Sequence, residues 1–180
     1  MICRGNVYLV GMMGAGKTTV GKKLARNLGC EFHDLDRDIE ADTGVSISTI
    51  FEIEGETGFR QREANMLAQL SRRKGLVIAT GGGAVLDPLN RNRMSCTGTT
   101  VYLHATPGLL HLRTKSDRSR PLLQVADPFG RIKMLTERRD PLYREIADII
   151  IESGNGPGSA VGAILKYLDA EDDHTDRQTE

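Results

Sequence analysis

The short run NVYLV, Asn6–Val10, breaks into GMMGAGKT, Gly11–Thr18, and an amphipathic pattern opens directly behind it. The string fits GxxxxGK[ST] at every fixed position and stands between a predicted strand and a predicted helix, the context in which this motif holds phosphate. Glycines let successive backbone N–H groups curl around one anion. The helix N-terminus adds partial positive charge. Lys17 can reach β- and γ-phosphates, and the Thr18 hydroxyl can ligate Mg²⁺. A dinucleotide fingerprint would run G-x-G-x-x-G; this turn runs G-x-x-G-x-G before its lysine. Gly14, Ala15, Gly16, Lys17, Thr18 and Thr19 are therefore candidate contacts to a nucleoside triphosphate, with the base left open.

Apolar runs predict strands at Asn6–Val10, Glu31–Asp34, Leu76–Thr80, Thr100–Leu103 and Asp148–Ile151. Helical spacing and caps predict helices over Lys17–Leu28, Asp36–Asp42, Ser46–Glu54, Glu56–Lys74 and Pro128–Arg139. Two more begin near Pro107 and end near Leu168. Lys115–Gln124 reads as a mobile loop, and Glu171–Glu180 as a frayed polar end. Strands that alternate with helices imply an α/β fold, a parallel sheet with helices on both faces. Ligands then sit at the carboxyl ends of the strands. The loops after Val10, Asp34 and Thr80 are expected to converge on one cleft.

A phosphate loop alone does not choose between a switch GTPase, an ATPase motor and a small-molecule kinase. No D-x-x-G stands directly behind the third strand, the chain has no N-K-x-D, and that strand ends in Thr80 where a common Walker B has an acidic residue. Asp34 and Asp36 close the second strand, and in an extended stretch residues i and i+2 face the same way. One carboxylate can support a metal, the other can accept a proton; either can equally cap the following helix. Arg60 and Glu63, at i,i+3, can pair, and Phe51 and Phe59, two of four phenylalanines, bracket that segment. The plainer reading is a solvated surface pair; the alternative is a pocket for a small carboxylated molecule. Gly81, Gly82 and Gly83 cost backbone entropy and imply close approach to the main chain. Arg113, Arg118 and Arg120 crowd the basic loop, which reads as a lid over phosphate. Arg138 and Arg139 fall at a predicted helix end, where arginines often only complement the dipole.

Composition narrows the partners. Basic and acidic residues balance at 24 each, and tryptophan is absent, so neither a nucleic-acid footprint nor a base-stacking surface is expected. Cys3, Cys30 and Cys96 make no metal or disulfide pattern. With no signal peptide or membrane span in the pattern, a cytoplasmic protein is expected.

In their order and spacing, GMMGAGKTT, DLD, FEIEGETGFRQRE, TGGG, RPLL and RRDPLY resemble the shikimate kinases, over about Asn6–Leu168. The resemblance implies a three-layer P-loop kinase fold with a five-stranded parallel sheet in order 2-3-1-4-5. It implies one domain over residues 1–168, a substrate segment at about 34–63, a lid at about 113–125, and a disordered tail at 169–180. The implied reaction is ATP-dependent phosphorylation of the 3-hydroxyl of shikimate, the fifth step toward chorismate, with Mg²⁺. Lys17, Asp36 and Arg120 would be catalytic, Asp36 also binding the shikimate hydroxyls. Asp34 would support Mg²⁺, with Thr18 its direct ligand. Arg60 and Arg139 would hold the shikimate carboxylate, with the backbone of Gly81, Gly82 and Gly83 alongside. Arg120 would contact the ATP phosphates and Arg113 the adenine, whose other wall falls near Asn155–Pro157. ATP and shikimate are the expected partners, and a monomer the expected state. The rivals are a kinase for another small polyol acid such as gluconate, a nucleoside monophosphate kinase, and a non-catalytic ATP-sensing domain.

Overall fold

The computed structural model describes residues 5–117 and 121–176. Strand β1 (Asn6–Val10) is buried at all its positions, so both faces of the sheet are covered there, as an unbroken apolar run demands. It lies between β3 (Leu76–Ala79) and β4 (Gly98–His104), with β2 (Glu31–Asp34) beyond β3 and β5 (Ile149–Glu152) beyond β4. All four pairings are parallel, giving the expected order 2-3-1-4-5. Helix α1 (Lys17–Leu28) buries Val20, Leu24, Ala25 and Leu28 and ends at Gly29, whose left-handed backbone (φ 67°) returns its N–H to Ala25. It packs against β3 and against α7 (Pro157–Asp176).

Several boundaries differ from those expected. Helix α2 begins at Leu35 and ends at Thr43, so Asp36 sits in its first turn and not on the strand. The two helices expected over 46–74 form one rod, α3 (Ile47–Leu70), broken at Gly55 (φ 69°, ψ −175°). The break falls on the residue that separated them, and the basic cluster Arg72–Lys74 lies past the helix end. Helix α4 (Pro88–Thr97) was not expected, because only Asn90 and Met94 of its residues are buried and no apolar stripe forms. Its start was readable: Asp87 accepts from Leu89 N–H and Pro88 takes the first turn.

After α5 (Pro107–Thr114), helix α6 runs from Pro128 to Ile146, through Pro141. A buried stripe including Ile132, Leu135, Arg139, Tyr143 and Ile146 continues past the proline. Packing there outweighs an interior proline's cost of about 3 kcal/mol. Helix α7 also outlasts expectation and does not fray after Leu168. Glu171 accepts from Tyr167 at 2.9 Å and from Thr99 at 3.3 Å, and helix persists to Asp176. Residues 169–176 are thus helical rather than a disordered tail. The main core surrounds the sheet, and a separate small one gathers Ile39, Ile50 and Phe59 between α2 and α3. Among the described residues no helix is long and apolar enough to cross a membrane.

Candidate active site

The loops after β1, β2 and β3 do converge, on a cleft of about 730 Å³. Its floor is the glycine turn. Gly14 and Gly16 hold positive φ, 81° and 97°, where a side chain would be strained. Gly16 precedes α1 with no side chain capping the helix, so the first-turn N–H groups stay available to an anion. Lys17 Nζ donates to Gly11 O at 2.7 Å and Met12 O at 3.0 Å, which lays the lysine along the loop. Arg113, on α5, laces this floor to the far wall: Nη1 donates to Gly14 O (3.2 Å) and Ser153 Oγ (3.1 Å), and Nη2 to Ser153 O (2.9 Å). Ser153, Gly156, Pro157 and Ala160 extend that wall. Gly156 and Pro157 belong to the expected Asn155–Pro157 turn; nothing in the sequence signals Ser153 or Ala160.

Asp34 does not cap α2 with its side chain; it accepts from the Thr18 hydroxyl at 2.7 Å. A hydroxyl that gives its proton to a carboxylate keeps its oxygen lone pairs for a hard cation, so this pair fits Mg²⁺. Among the described residues no three His, Cys, Asp or Glu side chains converge. Mg²⁺ needs no such cage, because it keeps waters and phosphate oxygens. Asp36 lines the same cleft from the first turn of α2. The reason expected for the pair's convergence, a shared strand face, does not hold; the strand-to-helix turn brings them together.

The triple glycine is a rail against which charged side chains lie. A Cβ at Gly81 would overlap Glu63 Oε1 and come within 3.3 Å of Asp36 Oδ1. One at Gly83 would overlap the Arg60 guanidinium, and one at Gly82 would stand 3.5 Å from Arg139 Nη1. Arg60 Nη1 donates to Glu63 at 2.6 Å, and its Nε and Nη2 to Glu56 at 3.3 and 3.1 Å. The pair is not a solvated surface pair, since Glu63 is 1 % exposed. Burial pushes the Glu63 carboxyl up from its ordinary value, Arg60 pulls it back, and Asp36 pushes it further up. Burial works against the charge on Arg60, but Glu63 and Glu56 outweigh it and hold the guanidinium protonated. Phe51 and Phe59 pack beside it, their rings tilted by 36° with centroids 4.9 Å apart.

Arg139 is not at a helix end and complements no dipole. It projects from the middle of α6, is 2 % exposed, and lines the cleft. Burial draws its pKa down. Its Nε and Nη1 have no hydrogen-bond partner among the described residues. A buried guanidinium with open donors facing a cleft is built for an anion. Thr19 reaches the cleft rim. Arg120, Arg118 and Cys3 lie outside the described residues. Tyr143 and Glu56 carried no sequence signal of their own; only their contacts to the rail and to Arg60 reveal them.

A family model described as shikimate kinase matches residues 13–169. A shikimate kinase of Thiobacillus denitrificans is 53 % identical over 162 residues, 90 % of this chain and 88 % of that protein. One of Nitrosococcus oceani is 55 % identical over 164 residues, 91 % of this chain and 86 % of that protein. The solved structure of shikimate kinase from Acinetobacter baumannii in complex with shikimate is 48 % identical, with a TM-score of 0.90, covering 93 % of this chain and 94 % of that one. Sequence, fold and the cleft agree, and the chain belongs to the shikimate kinase family.

Proposed function

We propose that this protein transfers the γ-phosphoryl group of ATP to the 3-hydroxyl of shikimate, giving shikimate 3-phosphate. The observation that carries the reading is the pair of guanidiniums, Arg60 and Arg139, ranged along one glycine rail in the same cleft as the phosphate loop. Shikimate is an anionic, polyhydroxylated ring. Its carboxylate suits two convergent guanidiniums, and its hydroxyls suit Asp36. Gly81, Gly82 and Gly83 carry no side chain of their own, which lets their backbone approach the ring.

The triphosphate lies on the N–H groups of Gly14, Ala15, Gly16, Lys17, Thr18 and Thr19, with Lys17 balancing its charge. Thr18, with Asp34 behind it, would hold Mg²⁺, which would supply neutralisation of phosphate charge. Asp36 holds the acceptor hydroxyl toward the phosphate and receives its proton. Phosphoryl transfer runs through a loose transition state, so placing the two reactants and neutralising charge supply most of the catalysis. Arg113 lies on the adenine side. Arg120, by its place before Pro121, is the arginine of a lid at about 113–125 that covers the phosphates and excludes water. The remaining assignments are one kinase domain with a substrate segment at about 34–63, a monomer, and a cytoplasmic location.

A coupled ADP-release assay with Mg-ATP tests the reading, using shikimate, gluconate, a nucleoside monophosphate, or no acceptor. ADP release that depends on shikimate is expected. Turnover with another acceptor only would keep the kinase and refute the substrate; ATP binding with no acceptor turned over would point to an ATP sensor.

A further inference from the structure

Tyr143 stands one helical turn beyond Arg139 on α6 and is fully buried. Its hydroxyl donates to the Gly82 carbonyl, and it follows Arg139 on the same face of the helix. That one bond ties the glycine rail to the helix that carries Arg139. The ring cannot swing away. It stacks on Tyr102 at 4.9 Å between centroids, and Tyr102 Oη is itself fixed to Asp140 at 2.8 Å.

The peptide between Gly82 and Gly83 is trans, so its C=O and N–H point in opposite directions. With the Gly82 carbonyl held toward Tyr143, the Gly83 N–H faces the other way. The Arg60 guanidinium lies against Gly83, and no backbone carbonyl among the described residues accepts from the Gly83 N–H.

We infer that Tyr143 is a positioning residue for the acceptor's carboxylate, holding the Gly82–Gly83 peptide against the helix that carries Arg139 and so turning the Gly83 N–H toward the anion that the arginines hold. The inference rests on the acceptor proposed above. Tyr143→Phe keeps the ring stack and removes the hydroxyl. It leaves the half-buried Gly82 carbonyl without its donor, and the rail free to turn. The KM for shikimate is expected to rise about tenfold, while the KM for ATP and kcat stay within about twofold. Tyr102→Phe removes the neighbouring hydroxyl from the same stack and serves as the packing control, with the shikimate KM expected near wild type. An unchanged shikimate KM in Tyr143→Phe overturns the inference, as does an equal rise in Tyr102→Phe or a parallel rise for ATP. Should Tyr143→Phe fail to fold, ¹⁵N-glycine-labelled wild type decides: shikimate should shift the Gly83 amide resonance, and a Gly83 signal that does not move overturns the inference. Wild type that neither binds nor phosphorylates shikimate would overturn the proposed function first, and this inference with it.

Discussion

Replacing Arg60 with lysine separates a planar fork from a point charge. Arg60 makes three hydrogen bonds to two carboxylates, at 2.6, 3.1 and 3.3 Å, and lies 5.0 Å from the centroid of the Phe59 ring. A lysine ammonium can face Glu63 or an incoming carboxylate, but it cannot present two parallel N–H groups to either. If one charge-assisted bond to the acceptor is lost, the cost is about 1.5–3 kcal/mol. At about 1.4 kcal/mol per decade this raises the KM for shikimate by about 10- to 100-fold. In the proposed reaction Arg60 grips a carboxylate remote from the reacting hydroxyl, so it would bind ground and transition state alike, and kcat should fall by less than about threefold. The assay is ADP release at saturating Mg-ATP with shikimate varied, beside a thermal melt that reports any loss from Glu63. A shikimate KM unchanged in a folded Arg60→Lys variant refutes the reasoning. So does a rise in the KM for ATP with shikimate unaffected.

Gly81→Ala places a Cβ on buried Glu63 and 3.3 Å from Asp36 Oδ1. A shift of about 1 Å in the acceptor hydroxyl should lower kcat/KM for shikimate about 100-fold, with ATP affinity, read by a fluorescent nucleotide analogue, unchanged. Retained activity would show that Glu63 and Asp36 have room to move. At Asp140, burial raises the pKa, but the bonds from Arg144 and Tyr102 outweigh it and the folded value lies below the ordinary 3.8. Its stabilising contribution is therefore complete above that value and is lost as pH falls through the lower folded one. Solvent screening keeps it small: Asp140→Asn should cost about 0.5 kcal/mol at neutral pH in urea melts, and nothing at about pH 2. A gap that persists in acid would assign the effect to geometry and not to charge.

The nucleotide half of the cleft was legible because its physics is local. Glycines at positive φ, a lysine and a hydroxyl at fixed spacing specify an anion cradle wherever a strand meets a helix, and Gly14, Gly16, Lys17 and Thr18 line one end of the cleft. The acceptor half was legible as residues but not as geometry. Asp34 and Asp36 were paired by a strand alternation that ends at Asp34. Arg139 read as a helix-end charge because Pro141 argues for a stop, and only the long-range packing of α6 buries it. Tyr143 could not be singled out, since its meaning lies in a contact to Gly82, 61 residues away. Non-local hydrogen bonds leave no period in a sequence, whereas a cradle built within a single turn does.

That difference in construction has a mechanical consequence. The nucleotide half is pinned to the main core: Thr80 N and Oγ1 both donate to Leu9 O, at 3.1 and 3.2 Å, tying the end of β3 to β1 under the phosphate loop. The acceptor half hangs on less. Helices α2 and α3 share a core of three buried residues, Ile39, Ile50 and, past the break at Gly55, Phe59. Their burial contributes about 5–9 kcal/mol before chain entropy is subtracted. Across the break at Gly55 the Glu54–Arg62 pair, at 2.6 and 2.9 Å, is largely open to solvent and adds little. Local opening of this segment must then cost less than global unfolding. An acceptor gripped by Arg60 on α3 and Arg139 on α6 would bridge the weak element to the strong one. Native-state hydrogen exchange should show the amides of α2 and of 47–59 exchanging faster than those of β1, and shikimate slowing them selectively. Equal protection of both halves without shikimate would mean that the small core is not the weak point, and that the cleft opens and closes as one body.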